Sequence, residues 1–262
     1  MSGSARASSA AAAPLRAALD KAAGVGRHID FWWRDDDADR TSEALDRLLF
    51  LARSHDLPLV LAIIPADVQR TLADRVARAP KVAVLQHGWR HLRHNARDTK
   101  KAEFGDDRPL DAMLAEIDAG AARLRALFGD RLLPGFVPPW NRIGPHLAER
   151  LVADRGLVLS THSPGAPSLP GRLDTHCDII AWRTTRSAVP ADEAFALLAD
   201  EVERRLAGAS EGAIGLLTHH LVHDEAAWRL LDDILAAIRA SPASRWPDPN
   251  TLFDHGAPGG PS

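Results

Sequence analysis

Cysteine, tyrosine and methionine are scarce in this chain: one Cys, no Tyr and two Met stand among 262 residues. The lone Cys177 rules out an internal disulfide, and nothing about it speaks for an oxidising compartment. An excess of one charge is missing too, since 32 Lys and Arg face 35 Asp and Glu, a formal net charge of -3, with the signs interspersed. Neither the basic footprint of a nucleic-acid binder nor an acidic solvating tail is therefore present, and a small or neutral partner is expected. No segment is long and apolar enough to span a bilayer. Met1 to Ala13 is rich in Ser and Ala and lacks the continuous apolar stretch of an export signal, so a soluble, cytoplasmic protein is expected. No repeat of solenoid period is visible, and nothing specifies an oligomeric state.

What is present is alternation. Short, mostly continuous apolar runs occur at Ile29–Trp33, Leu59–Ile64, Val82–Leu85, Gly135–Val137, Leu157–Leu159, Ile179–Trp182 and Ile214–Leu217, the pattern of strands buried on both faces. Segments with helical spacing lie between most of them, at Ser42–Ser54, Val68–Arg78, Leu110–Phe128, Pro145–Asp154, Ala191–Leu206 and Glu225–Ala240. Pro109 and Pro145 stand where a first-turn proline belongs, and Gly129 and Gly156 stand just past helix ends. About seven β-α units predict a parallel sheet closed into a barrel, in one α/β domain over residues 14–253. Flexible termini are expected at 1–13 and 254–262.

In such a barrel the chemistry sits at the C-terminal ends of the strands, so the polar residues that follow each apolar run are the informative ones. Arg34-Asp35-Asp36-Asp37 follows the first run, His87-Gly88-Trp89-Arg90-His91 the third, Pro138-Pro139-Trp140-Asn141 the fourth and Thr218-His219-His220 the seventh. The fifth leads to Thr161 and His162. An acidic helix cap explains one aspartate, but three against an apolar run need a nearby cation to offset their repulsion and desolvation. Two imidazoles four residues apart can hold one metal ion, and Gly88 between them allows close backbone approach. His94 follows a turn later and is left outside that set. A strand-end histidine suits proton transfer near neutral pH, with His219 and His220 both candidates at this stage. Trp89, Trp140 and Trp182 fall at strand ends, where they suit either sugar stacking or a core.

Asp36-Asp37-Ala38, His87 to His91, Pro138-Pro139-Trp140 and Leu216-Leu217-Thr218-His219 resemble, in order and spacing, the motifs of the polysaccharide deacetylases, the NodB-homology or carbohydrate esterase family 4 domain. The resemblance runs from about Ile29 to about Ala240. It implies a distorted (β/α)7 barrel and a metal-dependent hydrolase that removes acetyl groups from N- or O-acetylated carbohydrates. It also implies one divalent ion, Zn2+ first and Co2+, Ni2+ or Mn2+ as alternatives, held by Asp37, His87 and His91. Asp36 becomes the general base and His219 the general acid, with Trp89, Pro139, Trp140 and Asn141 along the substrate. An Asp35-Asp36 register would move the two aspartate roles back by one, but Ala38 in place of the family's glycine favours the later pair.

The chain departs from the family at the third motif, where Phe136-Val137 replace the arginine that precedes the prolines, and Arg34 or Arg142 is the expected substitute. Asp178 and Trp182 match the fourth motif only loosely. Without an export signal, a small sugar, a nucleotide-sugar or a lipid-linked intermediate is expected rather than a wall polymer. The alternatives are hydrolysis of a ureide or cyclic amide on the same site, or a silent sugar-binding barrel.

Overall fold

The structure is a computed structural model that describes residues 10–254. The continuous apolar runs become parallel strands: β1 (Ile29–Ala38), β2 (Leu59–Ile63), β3 (Val82–His87), β4 (Leu132–Val137), β5 (Val158–Leu159), β6 (Cys177–Asp178) and β7 (Ile214–Thr218). Their order is β5-β4-β3-β2-β1-β7-β6, with a short β8 (Ser244–Arg245) on the first residues of β1. Seven parallel strands curl into a half-barrel, the distorted (β/α)7 architecture expected. The rim between β5 and β6 has no regular ladder; isolated bridges Leu159 to Arg172 and His162 to Thr175 span it.

Helices α1 (Ala13–Gly24), α2 (Glu43–Ser54), α3 (Arg70–Ala77), α4 (Leu110–Phe128), α5 (Pro145–Ala153), α6 (Ala191–Leu206) and α7 (Glu225–Arg239) accompany the sheet, and a short α8 (Pro249–Phe253) follows. Ser42 caps α2 through Leu45 N–H at 3.0 Å, and Asp224 caps α7 through Ala227 N–H at 2.8 Å, each satisfying a donor the first turn leaves open. Pro145 opens α5, whereas Pro109 stands one residue ahead of α4 as its cap.

Three expectations shift. Helix α1 lies where no element is read from the sequence, and Ala12, placed in the flexible start, is 1% exposed. Residues 1–9 and 255–262, the rest of the two expected flexible termini, lie outside the described residues. The sixth strand is Cys177–Asp178 rather than Ile179–Trp182, because the chain turns after Asp178 accepts the Ile180 N–H at 3.0 Å.

The period of two along β1 sorts its side chains between two compartments. Trp32 faces the barrel interior with Val60, Ala62, Leu85 and Val137, while Phe31 and Trp33 face the helical layer with Leu45, Leu216 and Leu231. Phe253 of α8 meets Trp32 edge-on at 5.7 Å, and a Cβ on Gly135 would come within 2.9 Å of the Phe253 ring, so the lower end of the barrel is plugged. The polar residues gather at the opposite end.

Candidate active site

Strand β1 does not stop at Trp33 but runs through the three aspartates to Ala38, and each aspartate finds a different partner. Asp35 shares the parity of Trp33 and points outward to β7, where it accepts from Thr218 Oγ1 at 2.7 Å, His220 N–H at 2.9 Å and His220 Nδ1 at 2.5 Å. Asp36 shares the parity of Trp32 and points inward. Asp37 would turn outward again, but the pairing with β2 slips between Asp35 and Ala38 and Asp37 takes φ 73°, a bulge that re-aims its carboxylate to the barrel mouth. Asp36 and Asp37 thus reach the cleft, and Asp35 does not.

Asp36 is 1% exposed and lies side-on against Arg34, which is fully buried. Arg34 Nη2 donates to Asp36 Oδ2 at 3.0 Å; its Nε lies 2.8 Å from Oδ1 but is not aimed well enough for a hydrogen bond. The guanidinium also donates to Ser160 Oγ at 2.6 Å and to Asn141 Oδ1 at 3.0 Å, which fixes its plane. Of the two arginines expected as substitutes at the third motif, Arg34 is the one that meets Asp36. Arg142 instead donates to the Lys101 carbonyl at 2.9 Å.

His87 ends β3, and its Nδ1 lies 3.0 Å from the Val137 carbonyl, which can only accept; Nδ1 therefore carries a proton and Nε2 is the atom that faces Asp37 Oδ1 at 3.1 Å. His91 Nε2 faces the same oxygen at 3.3 Å. Burial, with the charge of His87, pulls the His91 pKa down to about 4, so this imidazole is neutral at pH 7. Asp37 Oδ1, His87 Nε2 and His91 Nε2 all lie within 4.8 Å of one another. Two imidazole nitrogens and one carboxylate oxygen converging on one point suit a divalent metal with open positions. Without one, burial lowers the pKa of His87, but Asp36 and the Asp37 contact outweigh it, leaving His87 raised and its extra proton in competition with a metal.

The loop after β3 is built to hold His91. Glu103 is fully buried and accepts the backbone N–H groups of Trp89 at 3.1 Å, Arg90 at 2.8 Å and, more weakly, Leu92 at 3.4 Å. Gly88 has φ 59°, and a Cβ there would come within 2.4 Å of Pro139 Cγ. Asp37, His91, Trp140 and Asn141 are four of the six described non-glycine residues with positive φ, so strained backbone concentrates at this end of the barrel.

His219 turns into the cleft with Nε2 4.0 Å from Asp36 Oδ2, and Trp182 meets it edge-on at 4.7 Å. Its Nδ1 is buried without a partner among the described residues, and Asp178 accepts from Trp182 Nε1 at 2.7 Å. His220 is the partner of Asp35 instead. Among the expected substrate contacts, Trp140 stands 4.4 Å from the His91 ring at the mouth, while Asn141 Oδ1 is taken by Arg34. Trp89 packs on the apolar cluster around Phe104, and Pro139 is buried behind Gly88, so neither side chain lies open in the cleft. His94 is exposed and outside the cluster. Sequence reasoning missed Glu103; the single glutamate in the loop after a His-x-x-x-His pair was the available signal.

No protein-family model and no curated protein matches the sequence. Solved structures do match in fold. A family 4 carbohydrate esterase from Streptomyces lividans in complex with acetate superposes with a TM-score of 0.53 at 14% identity, covering 82% of this chain and 89% of that one. A family 4 acetyl xylan esterase from Clostridium thermocellum in complex with a cobalt ion gives 0.55 at 13% identity over 86% and 90%. A mutant of a family 4 pseudoenzyme with restored activity gives 0.56 at 15% over 87% and 68%. The fold is that of these family 4 carbohydrate esterases, shared at 13–15% identity.

Proposed function

We propose that this chain is a metal-dependent hydrolase that removes an acetyl group from an N- or O-acetylated carbohydrate or a related small molecule. The observation that carries the reading is the convergence of Asp37 Oδ1, His87 Nε2 and His91 Nε2 beside a carboxylate, Asp36, that an arginine holds in place. Similarly folded proteins include an acetyl xylan esterase and a peptidoglycan N-acetylglucosamine deacetylase, which supports the reading.

A divalent ion, Zn2+ by preference, would supply Lewis acidity to activate a water and polarise the acyl carbonyl when bound by Asp37, His87 and His91. Asp36 takes the proton of the attacking water, and Arg34 keeps its carboxylate turned to the cleft during transfer. His219, across from Asp36, donates a proton to the departing nitrogen or oxygen, so the C–N or C–O bond breaks to leave acetate and a free amine or hydroxyl. Trp140 and Trp182 wall the mouth beside His91 and His219 and limit how a ring enters.

The test is acetate release from acetylated sugars, set beside a panel of ureides and cyclic amides, by metal-loaded wild type, His87→Ala and Asp36→Asn. Release from sugars that both substitutions abolish supports the proposal; equal rates in all three proteins refute the site. The pseudoenzyme fold relative keeps the silent barrel as a second reading, and a protein that takes up no metal and releases no acetate would establish it.

A further inference from the structure

Beyond the metal ligands, base and acid, one imidazole at the cleft has no role so far. His162 follows β5, and its backbone bridges to Thr175 across the irregular rim of the barrel. Two residues earlier Ser160 points inward, since its Oγ receives Arg34 Nη1 at 2.6 Å. On extended chain the period of two turns His162 to the same side, one step nearer the open mouth. The charged and titratable groups that act on its ring agree with that placement: Asp178, Arg34, His219 and Asp36.

The hydrogen bonds assign its tautomer. Thr175 is fully buried, and its single hydroxyl proton goes to the Thr161 carbonyl at 3.2 Å. The oxygen is then left to accept, and His162 Nδ1, 3.3 Å away, is the donor. Burial lowers the His162 pKa, so the ring is neutral with a lone pair on Nε2. Among the described residues that nitrogen has no hydrogen-bond partner, and it is not one of the buried unpartnered atoms, so it reaches solvent.

We propose that His162 is a substrate-binding, specificity-determining residue whose Nε2 accepts a hydrogen bond from a free hydroxyl adjacent to the acetylated position. The proposal rests on the deacetylase reading and sharpens it: the preferred substrate is an acetylated sugar unit with a neighbouring hydroxyl, rather than a bare amide or ester. A site built to accept a hydroxyl proton discriminates against analogues that lack one, because its own acceptor is then left unpaired.

Two measurements test it. In wild type carrying nitrogen-15 histidine, long-range spectra at neutral pH are expected to show His162 as the Nδ1–H tautomer, its signals identified by their loss in His162→Gln. Excess N,N′,N″-triacetylchitotriose is expected to shift the Nε2 resonance in the direction of an accepted hydrogen bond. An Nε2–H tautomer, or no shift with the trimer, overturns the proposal, and neither readout depends on turnover. In kinetics with cobalt-loaded protein, His162→Ala is expected to lower the preference for the trimer over 4-nitrophenyl acetate about tenfold, carried by KM for the trimer, with His162→Gln recovering most of it. Equal losses on both probes, or a loss carried by kcat alone, also overturn it. A wild type inactive on both probes refutes the deacetylase reading, while the spectra still decide whether His162 contacts a sugar.

Discussion

Asp35 and Asp37 stand two residues apart on one strand and both meet imidazoles, yet they do opposite things. Asp35 is sealed and receives only donors: a hydroxyl, a backbone N–H and the protonated Nδ1 of His220. Asp37 is partly exposed and faces two nitrogens, at least one of which presents a lone pair. A buried carboxylate surrounded by donors is complete and belongs to the fold, whereas one surrounded by acceptors is incomplete without a cation. Asp36, between them, is tied on one side by Arg34 and open to His219 on the other, the arrangement of a group that must exchange a proton.

The largest effect is expected at the middle aspartate. Asp36→Asn should lower acetate release by about 10²- to 10⁴-fold, the usual range for a general base, with metal content unchanged. Equal turnover in that variant would remove Asp36 from the chemistry. Asp35→Ala strands His220 in the interior and should cost about 3–5 kcal/mol of unfolding free energy by denaturant titration, while metal is still bound. Asp37→Ala should do the reverse, keeping most of the stability and losing the metal. If the two variants behave alike, the distinction between a completed and an incompleted carboxylate fails.

Glu103→Ala frees the loop that carries His91 and should weaken metal affinity by about 10- to 100-fold, measured by competition with a chelator. An unchanged affinity would show that the loop holds its shape without this carboxylate. The sealed pair should also leave a pH signature. The His220 pKa is raised above 6.5, since the Asp35 charge and hydrogen bond overcome burial, so its contribution is full below 6.5 and fades as pH rises through the raised value. The Asp35 pKa is lowered from 3.8 because His220, together with lesser contributions from His223 and Thr218, outweighs burial, so its contribution is full above 3.8 and fades as pH falls through the lowered value. Between 3.8 and 6.5 both persist, and the difference in Tm between wild type and Asp35→Asn should be widest there. A difference that grows instead above that window would contradict the pairing. The smallest effect is expected at Arg142→Ala, within about twofold in turnover, because this side chain reaches the Lys101 carbonyl and not Asp36.

Strands β2, β3 and β7 were legible because runs of four or five apolar residues buried on both faces leave few other readings. The acidic run and the two imidazoles were legible as the polar residues beyond such runs, whereas the choice of Asp37 came with the family resemblance. What the sequence hid has physical reasons. Helix α1 is an Ala-rich stretch whose weak amphipathicity is rescued by packing Leu15 and Leu19 against the core. Which aspartate faces the cleft depends on a bulge at Asp37, and no residue type announces a bulge. Arg34 was one of two candidates to meet Asp36; only the inward parity it shares with Asp36 and Trp32 decides between them. Glu103 and His162 act through backbone groups and a neighbour across an irregular rim, contacts that spacing along the chain does not encode.

Equilibrium dialysis against Co2+ decides whether Asp37 and the two imidazoles form a cation site. One ion per chain is expected in wild type and in Asp35→Asn, and none in Asp37→Asn or His91→Ala at the same free concentration. Undiminished uptake by Asp37→Asn and His91→Ala, or none by wild type, would show that these three side chains do not share a cation.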